Sequence, residues 1–422
     1  MKKIKIPKIM WLILIASLCL HILFLIKQPS PEFNEVIKQY YGAPDAYNYY
    51  LSAEQLLEDG VFGYVYLKRY QEPVINAYIT PGQPIFLAIC LLITKIVHLP
   101  LYNFVVLVNM ILNILSIFLI YRIGKELFKK ESIGIVAALL FSTYISIYHY
   151  FRTLLTEPTS IFLFILSVYL FVMAWKYNQT KTHIIFGITV SILLMFRPNP
   201  APVLLIAIFT ILFTYGIRSS IKIGLLWLIG PLLIIGPWVL RNAITLHEFV
   251  LFSTQSGNPL LAGTDPYNKQ GFENIVKEMK KEGFIDQKEY AMYRIKQGFL
   301  NDFNYWFSWF TLGKTIELFR IPSMVNYYLN YAFYPFVLFQ HYLIIYTGVI
   351  TSFICSLHTK KHIRLMMLVL TIVTYIAFSN IFLAIDRYGF FIIPLICLVA
   401  SYGLVFSLQS IKNKIILSEN PK

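Results

Sequence analysis

Acidic side chains are scarce in this chain. Its 422 residues include 21 Asp and Glu against 36 Lys and Arg, only 14% of all residues are charged, and 57% are hydrophobic. The helices of a soluble domain need a polar face toward water, so this composition excludes an ordinary soluble protein. Cysteine is also rare. All four cysteines lie in apolar runs without a Cys-x-x-Cys pair, which argues against a disulfide framework or a thiolate metal site.

Motifs of several enzyme classes are missing as well. The sequence has no G-x-x-x-x-G-K-[ST] or G-x-G-x-x-G run, no H-E-x-x-H pair and no G-x-S-x-G elbow. The isolated His149 and His247 are more typical of structural histidines than of metal ligands. These absences argue against an ATP-driven pump and a serine hydrolase.

The net charge of +15 raises the question of nucleic-acid binding. About half of the basic residues lie in short loops between apolar segments, where positive charge fixes the orientation of a membrane protein. We therefore expect the lipid bilayer, and no nucleic acid, as a partner.

Apolar segments dominate what is present. Several run for about 18 residues or more with almost no charge, long enough to cross a hydrocarbon core of ~30 Å. They include residues 11–26, 104–120, 159–175, 223–240, 365–385 and 388–408. We predict an all-α fold, a polytopic transmembrane helical bundle that forms one integral-membrane domain over residues 1–422.

The basic loops decide how many segments cross. With the amino terminus inside, the decision depends on residues 85–99, whose uninterrupted apolar core (85–93) lies between Pro84 and Lys95. If this segment spans, every later basic loop falls outside, against the positive-inside rule. The core is also short for a span and suits an interfacial or re-entrant helix. We predict about ten spans, both termini inside, and residues 85–99 at the outer surface.

Two long loops then lie outside a cell membrane. The first covers residues 27–102 and is expected to contain juxtamembrane helices. The second covers residues 241–331, and Gly271–Arg320 has the pattern of two or three amphipathic helices. Any active site is expected on this extracytoplasmic face.

Three acidic residues lie where a span meets the predicted outer surface: Asp45, Glu157 and Asp386. Ionisable groups at this depth are costly unless they are paired or functional. Asp45 begins a helical pattern rich in tyrosine, where it is either an N-cap or a base for an acceptor hydroxyl or amine. Glu157 is either a first-turn carboxylate, paired with Arg152 and favoured by the helix dipole, or a functional group. Taken alone, the residues favour the structural interpretation of Asp45 and Glu157.

Arginines occupy the same depth. Arg387 follows Asp386 at the edge of the last span, as an interfacial anchor or as a fork of donors for a lipid phosphate. Arg197 and Arg241 lie at comparable depths. Several arginines that converge on one outer cavity would form a site for a phosphate or diphosphate lipid.

Short motifs follow one another along most of the chain. They begin at Asp45-Ala-Tyr-Asn-Tyr-Tyr, Thr80-Pro-Gly-Gln-Pro, Arg152-Thr-Leu-Leu-Thr-Glu-Pro, Phe196-Arg-Pro, Pro237-Trp-Val-Leu-Arg-Asn, Ser256-Gly-Asn-Pro and Asp386-Arg-Tyr. Each motif is weak alone, but their order resembles the GT-C superfamily of membrane glycosyltransferases. The most similar members are protein O-mannosyltransferases and aminoarabinose transferases of lipid A. Gln83 stands where that family usually has an aromatic residue.

This resemblance implies an inverting transfer of a sugar from a polyprenyl-phosphate carrier to a cell-envelope glycan, lipid or protein. By the match, Asp45 is the general base and Glu157 a second carboxylate that orients the acceptor or the donor. Arg387, Arg241 and Arg152 would hold the carrier phosphate and stabilise it as the leaving group. Aminoarabinose-type relatives carry a metal-binding Glu before a Pro-Pro pair, and the corresponding stretch 78–81 lacks it. We therefore expect no metal and no cofactor.

Two other functions remain open. A flippase or transporter for lipid-linked sugars needs ionisable residues or broken helices near the bilayer midplane, with repeat symmetry. An O-antigen-ligase-like polymerase is a further lipid-linked-sugar enzyme with different loops. Because the notable charges of this sequence crowd one surface, the transferase is favoured.

Overall fold

A computed structural model describes residues 6–27, 44–66, 72–321, 334–357 and 362–419. This part of the chain is helical and has no strand, which confirms the all-α class. Its helices are α1 (Lys8–Lys27), α2 (Pro44–Glu58), α3 (Gly82–Val97), α4 (Leu101–Phe128), α5 (Glu131–Ser142), α6 (Ser146–Tyr150), α7 (Glu157–Tyr177), α8 (Thr180–Phe196), α9 (Leu204–Leu246), α10 (Gly257–Ala262), α11 (Phe272–Lys281), α12 (Gln287–Asn301), α13 (Phe303–Ser308), α14 (Lys314–Leu318), α15 (Tyr334–Ser356), α16 (Ile363–Ser379), α17 (Asp386–Phe390) and α18 (Ile393–Glu419). Tyr41, Lys360 and Lys361, which belonged to predicted loops, lie outside the described residues.

Six of these helices are long and apolar enough to cross a membrane: α1, α4, α7, α9, α15 and α18. Four shorter helices, α3, α5, α8 and α16, are also apolar. The polytopic helical bundle is therefore confirmed. The count of ten spans and the inside position of the termini stay predictions.

Helix α9 is interrupted at an internal glycine. At Gly216 the backbone has φ +74° and ψ 170°, a conformation that glycine adopts without steric cost. Just before this point the Tyr215 hydroxyl donates to the Trp175 carbonyl near the end of α7. Near the other end of α9, the Trp238 indole donates to the Phe252 carbonyl at 3.0 Å. The backbone at Gly216 thus divides α9 into two segments, and their assignment to two of the ten spans stays a prediction.

Helix α3 lies at one end of the bundle. At its start, Gln83 donates to the Leu154 carbonyl at 2.7 Å. At its end, the chain turns at His98 and enters α4, where Asn109 donates to the Thr153 carbonyl at 3.1 Å. Asn109 is about two turns from the start of α4, roughly 12 Å along the helix. The start of α3 therefore contacts the 151–154 segment, and the exclusion of this helix from the span count stays a prediction.

The long loop after α9 folds into helices α10 to α14. Helix α11 buries Ile275 and Met279 against Leu261 and Tyr290. Its opposite face carries charge, so this part of the loop has the predicted amphipathic pattern. The main core lies elsewhere, around α4, α5, α7, α8 and the first half of α18.

Candidate active site

Three helix starts that are distant in sequence bring opposite charges together. Arg387 at the start of α17 donates through Nε to Glu157 Oε1 at 2.7 Å and through Nη1 to Asp45 Oδ2 at 2.9 Å. Glu157 is the first residue of α7 and Asp45 the second of α2. The Glu157 side chain is 0% exposed and that of Asp45 is 45% exposed. One arginine thus links a buried carboxylate to an accessible one.

Arg197 adds a second guanidinium to the buried carboxylate. Its Nη2 lies 3.1 Å from the same Glu157 Oε1. The guanidinium also packs 5.4 Å from the centre of the Tyr388 ring. The cluster of Asp45, Glu157, Arg197 and Arg387 therefore holds two positive and two negative charges, which offsets the desolvation that each would suffer alone.

The charges of the cluster affect the residues around them. Burial alone would lower the pKa of Arg387, but Glu157 and Asp45 outweigh it and hold this pKa well above its ordinary value. Tyr49 lies one helical turn after Asp45. Burial, reinforced by the Asp45 charge, raises the pKa of Tyr49, so its hydroxyl keeps its proton at neutral pH. The four-residue spacing from Asp45 was the signal that could have identified Tyr49 from the sequence.

Local sequence helps to place Glu157 and Arg387 in the cluster. Pro158 follows Glu157 in the first turn of α7, where a proline is compatible with the helix and a carboxylate is favoured by its dipole. Asp386 accepts the backbone N–H of Arg387 at 2.8 Å, at the start of α17.

The long loop after α9 holds the segment that carries Arg387. The fully buried Lys314 donates to the carbonyls of Asn380 and Phe382 at 2.8 and 2.9 Å. Gly389 lies so close to the Leu318 carbonyl that a β-carbon would overlap with it. No sequence motif indicates either contact. Both contacts position the segment that carries Arg387, although Lys314 and Leu318 are not part of the charged cluster.

A cavity of about 390 Å³ adjoins the cluster. Tyr49, Thr156, Arg197 and Tyr388 form the wall that it shares with the charged groups. The rest of the lining combines aromatic rings with amides and hydroxyls, among them Phe196, Asn199, Phe252, Ser253, Gln255, Ser256, Phe378 and Phe382. Rings and neutral polar groups of this kind suit a ligand that is both apolar and hydroxyl-rich.

Arg241 and Arg152, assigned to phosphate binding by the resemblance, contact other groups. Arg241 donates to the carbonyls of Phe62 and Asn76 at 2.5 and 3.1 Å, and so ties the segment after α2 to α9. Arg152 is 5% exposed and acts electrostatically on His149. The structure thus brings together Asp45, Glu157 and Arg387 and adds Arg197, while phosphate binding by Arg241 and Arg152 stays a prediction.

The described carboxylates do not gather around a potential metal. Across residues 6–27, 44–66, 72–321, 334–357 and 362–419, no group of three His, Cys, Asp or Glu could hold an ion. The two site carboxylates face guanidinium groups instead.

A family model matches part of the chain. Residues 80–240 match the family of dolichyl-phosphate-mannose-protein mannosyltransferases. Comparison with curated proteins gave no match.

Solved structures show the same fold. The archaeal oligosaccharyltransferase AglB from Archaeoglobus fulgidus, in complex with an inhibitory peptide and a dolichol-phosphate, superposes with TM-score 0.57 at 11% identity, over 98% of this chain and 52% of that one. The oligosaccharyltransferase of the same organism tethered to an acceptor peptide with the NVT sequon gives 0.56 at 13% identity, over 95% and 50%. At such identities the likeness is one of fold, and this chain spans about half the length of those proteins. The family match over residues 80–240 and the shared fold support a membrane glycosyltransferase of the GT-C superfamily, as the ordered motifs predicted.

Proposed function

We propose that this protein transfers a sugar from a polyprenyl-phosphate carrier to a cell-envelope acceptor at the extracytoplasmic face, with inversion at the anomeric carbon. The observation that supports this most is the bridge by which Arg387 joins Asp45 to Glu157 beside a polar and aromatic cavity. An accessible carboxylate and a pair of arginines are what an inverting transfer from a lipid phosphate requires: one base, and cations for the leaving group.

Asp45 is the proposed general base. It is the more exposed carboxylate of the cluster, and Tyr49 on the same helix lines the cavity. As an acceptor O–H or N–H attacks the anomeric carbon, Asp45 takes its proton. The bond from that carbon to the phosphate oxygen breaks, and its electron pair leaves with the carrier phosphate.

Arg387 and Arg197 are the proposed phosphate-binding groups. Arg387 uses Nε and Nη1 within the cluster, and its Nη2 has no acceptor among the described residues. A phosphate oxygen can occupy that position without displacing either carboxylate. Arginine provides such donors in a fixed planar fork, which suits phosphate binding.

Glu157 is assigned a positioning role. Its Oε1 lies against both guanidinium groups and its side chain is fully buried, so it is poorly placed to receive a proton from a substrate. We infer that it fixes the orientation of Arg387 and Arg197 and acts on the donor through them.

A lipid-linked donor is supported by an apolar slot next to the cavity. The slot lies between α7, α8, α9 and α16 and is lined by residues such as Phe164, Phe171, Val190, Leu194 and Leu368. Pro200 and Val203 line the slot, and Ala201 and Pro202 line the cavity, so one short turn borders both. A ligand with a polar head and an apolar chain matches this pair of spaces.

The test is sugar transfer by the purified chain in reconstituted membranes, supplied with a panel of polyprenyl-phosphate sugars. Asp45→Asn is expected to lower turnover by roughly 10²–10⁴-fold, the usual contribution of a general base. Asp59→Asn removes an exposed carboxylate just beyond the far end of the same helix and is the matched control. Turnover like the wild type in Asp45→Asn would sink the mechanism, and carrier-sugar translocation without transfer would favour the transporter.

A further inference from the structure

A second polar cavity lies at the other end of the bundle. Helix α7 begins at the active site with Glu157 and has Lys176 near its far end, 19 residues later, so the two sites are roughly 28 Å apart along this helix. This cavity has a volume of about 240 Å³. It is lined by residues of α4, α7 and α16 and of the turn after α4, namely Glu126, Leu127, Lys129, Val172, Trp175, Lys176 and Arg364.

The cavity carries an excess of positive charge. Glu126 is its acidic lining residue, and both oxygens of that carboxylate are already engaged. Arg122, which is 8% exposed, lies 3.1 Å from Oε1, and Lys176 lies 2.7 Å from Oε2. Glu126 thus shares its single negative charge between Arg122 and Lys176. With Lys129 and Arg364, the five charged side chains at this cavity carry a net charge of +3.

Donors in this cavity are available for an anion. Arg364 uses Nη1 to donate to the Leu127 carbonyl at 3.1 Å, and this contact holds its guanidinium at the cavity wall. The Nε and Nη2 groups of Arg364 have no acceptor in the described part of the chain. The exposed ammonium group of Lys129 has none there either. A fixed guanidinium with two donors left, next to two lysines, is a typical arrangement for binding a phosphate group.

We propose that this cavity binds the phosphate group of an anionic phospholipid, at the end of the bundle opposite the active site. A soluble phosphate compound shares the recognised chemistry. The lipid is favoured because α4, α7 and α16 end or begin at this level, and because Val172 and Trp175 give the cavity an apolar wall. Basic residues that border a membrane surface attract anionic lipids by about 1 kcal/mol each.

The test measures lipid binding to the delipidated, purified full chain by native mass spectrometry, with phosphatidylglycerol compared with zwitterionic phosphatidylcholine. Phosphatidylglycerol is expected to be retained preferentially. Lys129→Gln and Arg364→Gln are each expected to weaken that retention about fivefold, the factor equivalent to ~1 kcal/mol. Arg218→Gln and Lys222→Gln remove exposed charges next to the Gly216 turn, at the same end of the bundle but outside the cavity lining, and should weaken retention less than either cavity change.

Two outcomes of these measurements would count against the proposal. An equal loss in the Arg218 and Lys222 controls would show a general charge effect instead of a site. Inorganic phosphate or glycerol phosphate that stabilises the detergent-solubilised protein as strongly as phosphatidylglycerol would assign the cavity to a soluble ligand. Because Arg364→Gln also loses a backbone contact, its thermal midpoint is measured alongside. Lys129→Gln, which loses no described contact, decides the result if Arg364→Gln is unstable.

Discussion

Replacing Glu157 by glutamine would keep the shape of a fully buried side chain and remove the charge that two arginines share. Breaking a buried ion pair by removing one partner costs about 3–5 kcal/mol, because the other charge stays buried without compensation. Here Arg387 would keep Asp45 at 2.9 Å, whereas Arg197, whose side chain is 12% exposed, would lose its carboxylate. We therefore expect the lower end of that range, about 3 kcal/mol.

Chemical denaturation of the purified protein in detergent would measure this loss, and Glu131→Gln is the matched control. Glu131 lies 2.5 Å from Lys125, but these two side chains are 44% and 35% exposed. Partly solvated pairs contribute about 1 kcal/mol or less. A further change, Arg197→Gln in the Glu157→Gln background, should recover part of the stability, because it removes the uncompensated charge. A loss no larger than that of Glu131→Gln, or no recovery in the double variant, would refute the reasoning.

Two further changes test how the long loop after α9 positions the cluster. Gly389→Ala should displace Arg387 and lower transfer activity, because the added methyl group overlaps with the Leu318 carbonyl. The control is Gly224→Ala, at a helical glycine with open space around it, and this variant should keep the activity of the wild type. Equal activities of the two variants would contradict the packing argument. Burial lowers the pKa of Lys314 to about 7. Between pH 7 and the ordinary lysine pKa, the unfolded chain therefore binds this proton more strongly than the folded protein. The free energy of unfolding should rise with pH over that window. Thermal midpoints at pH 7 and pH 9.5 should show a smaller rise in Lys314→Met than in the wild type, and an identical rise would count against a buried lysine of lowered pKa.

The sequence alone identified the class of protein and three residues of the cluster. Long apolar segments between basic loops predicted a polytopic helical bundle, which the structure confirms, and the ordered motifs predicted the GT-C superfamily. Asp45, Glu157 and Arg387 were selected because each lies in a motif at the edge of a span. Their catalytic roles stay predictions, but the structure does bring their side chains together.

The sequence did not determine which other arginine joins them. Arg197 and Arg241 lie at comparable depths at the ends of apolar segments, so composition and motif position treat them alike. Packing separates them: Arg241 donates to the carbonyls of Phe62 and Asn76, while Arg197 reaches Glu157. The direction of the Arg241 side chain depends on where the segment after α2 packs against α9.

The same distinction holds for the rest of the molecule. Whether a segment forms a helix and enters a membrane depends on its own side chains, because hydropathy and helix propensity are local properties. Which side chains meet depends on the placement of segments far apart in sequence, such as Asp45 and Arg387, which are separated by 342 positions. The sequence therefore determined the membrane-embedded helical bundle. Tertiary packing alone decided the charged cluster, the cavity beside it and the basic cavity at the opposite end.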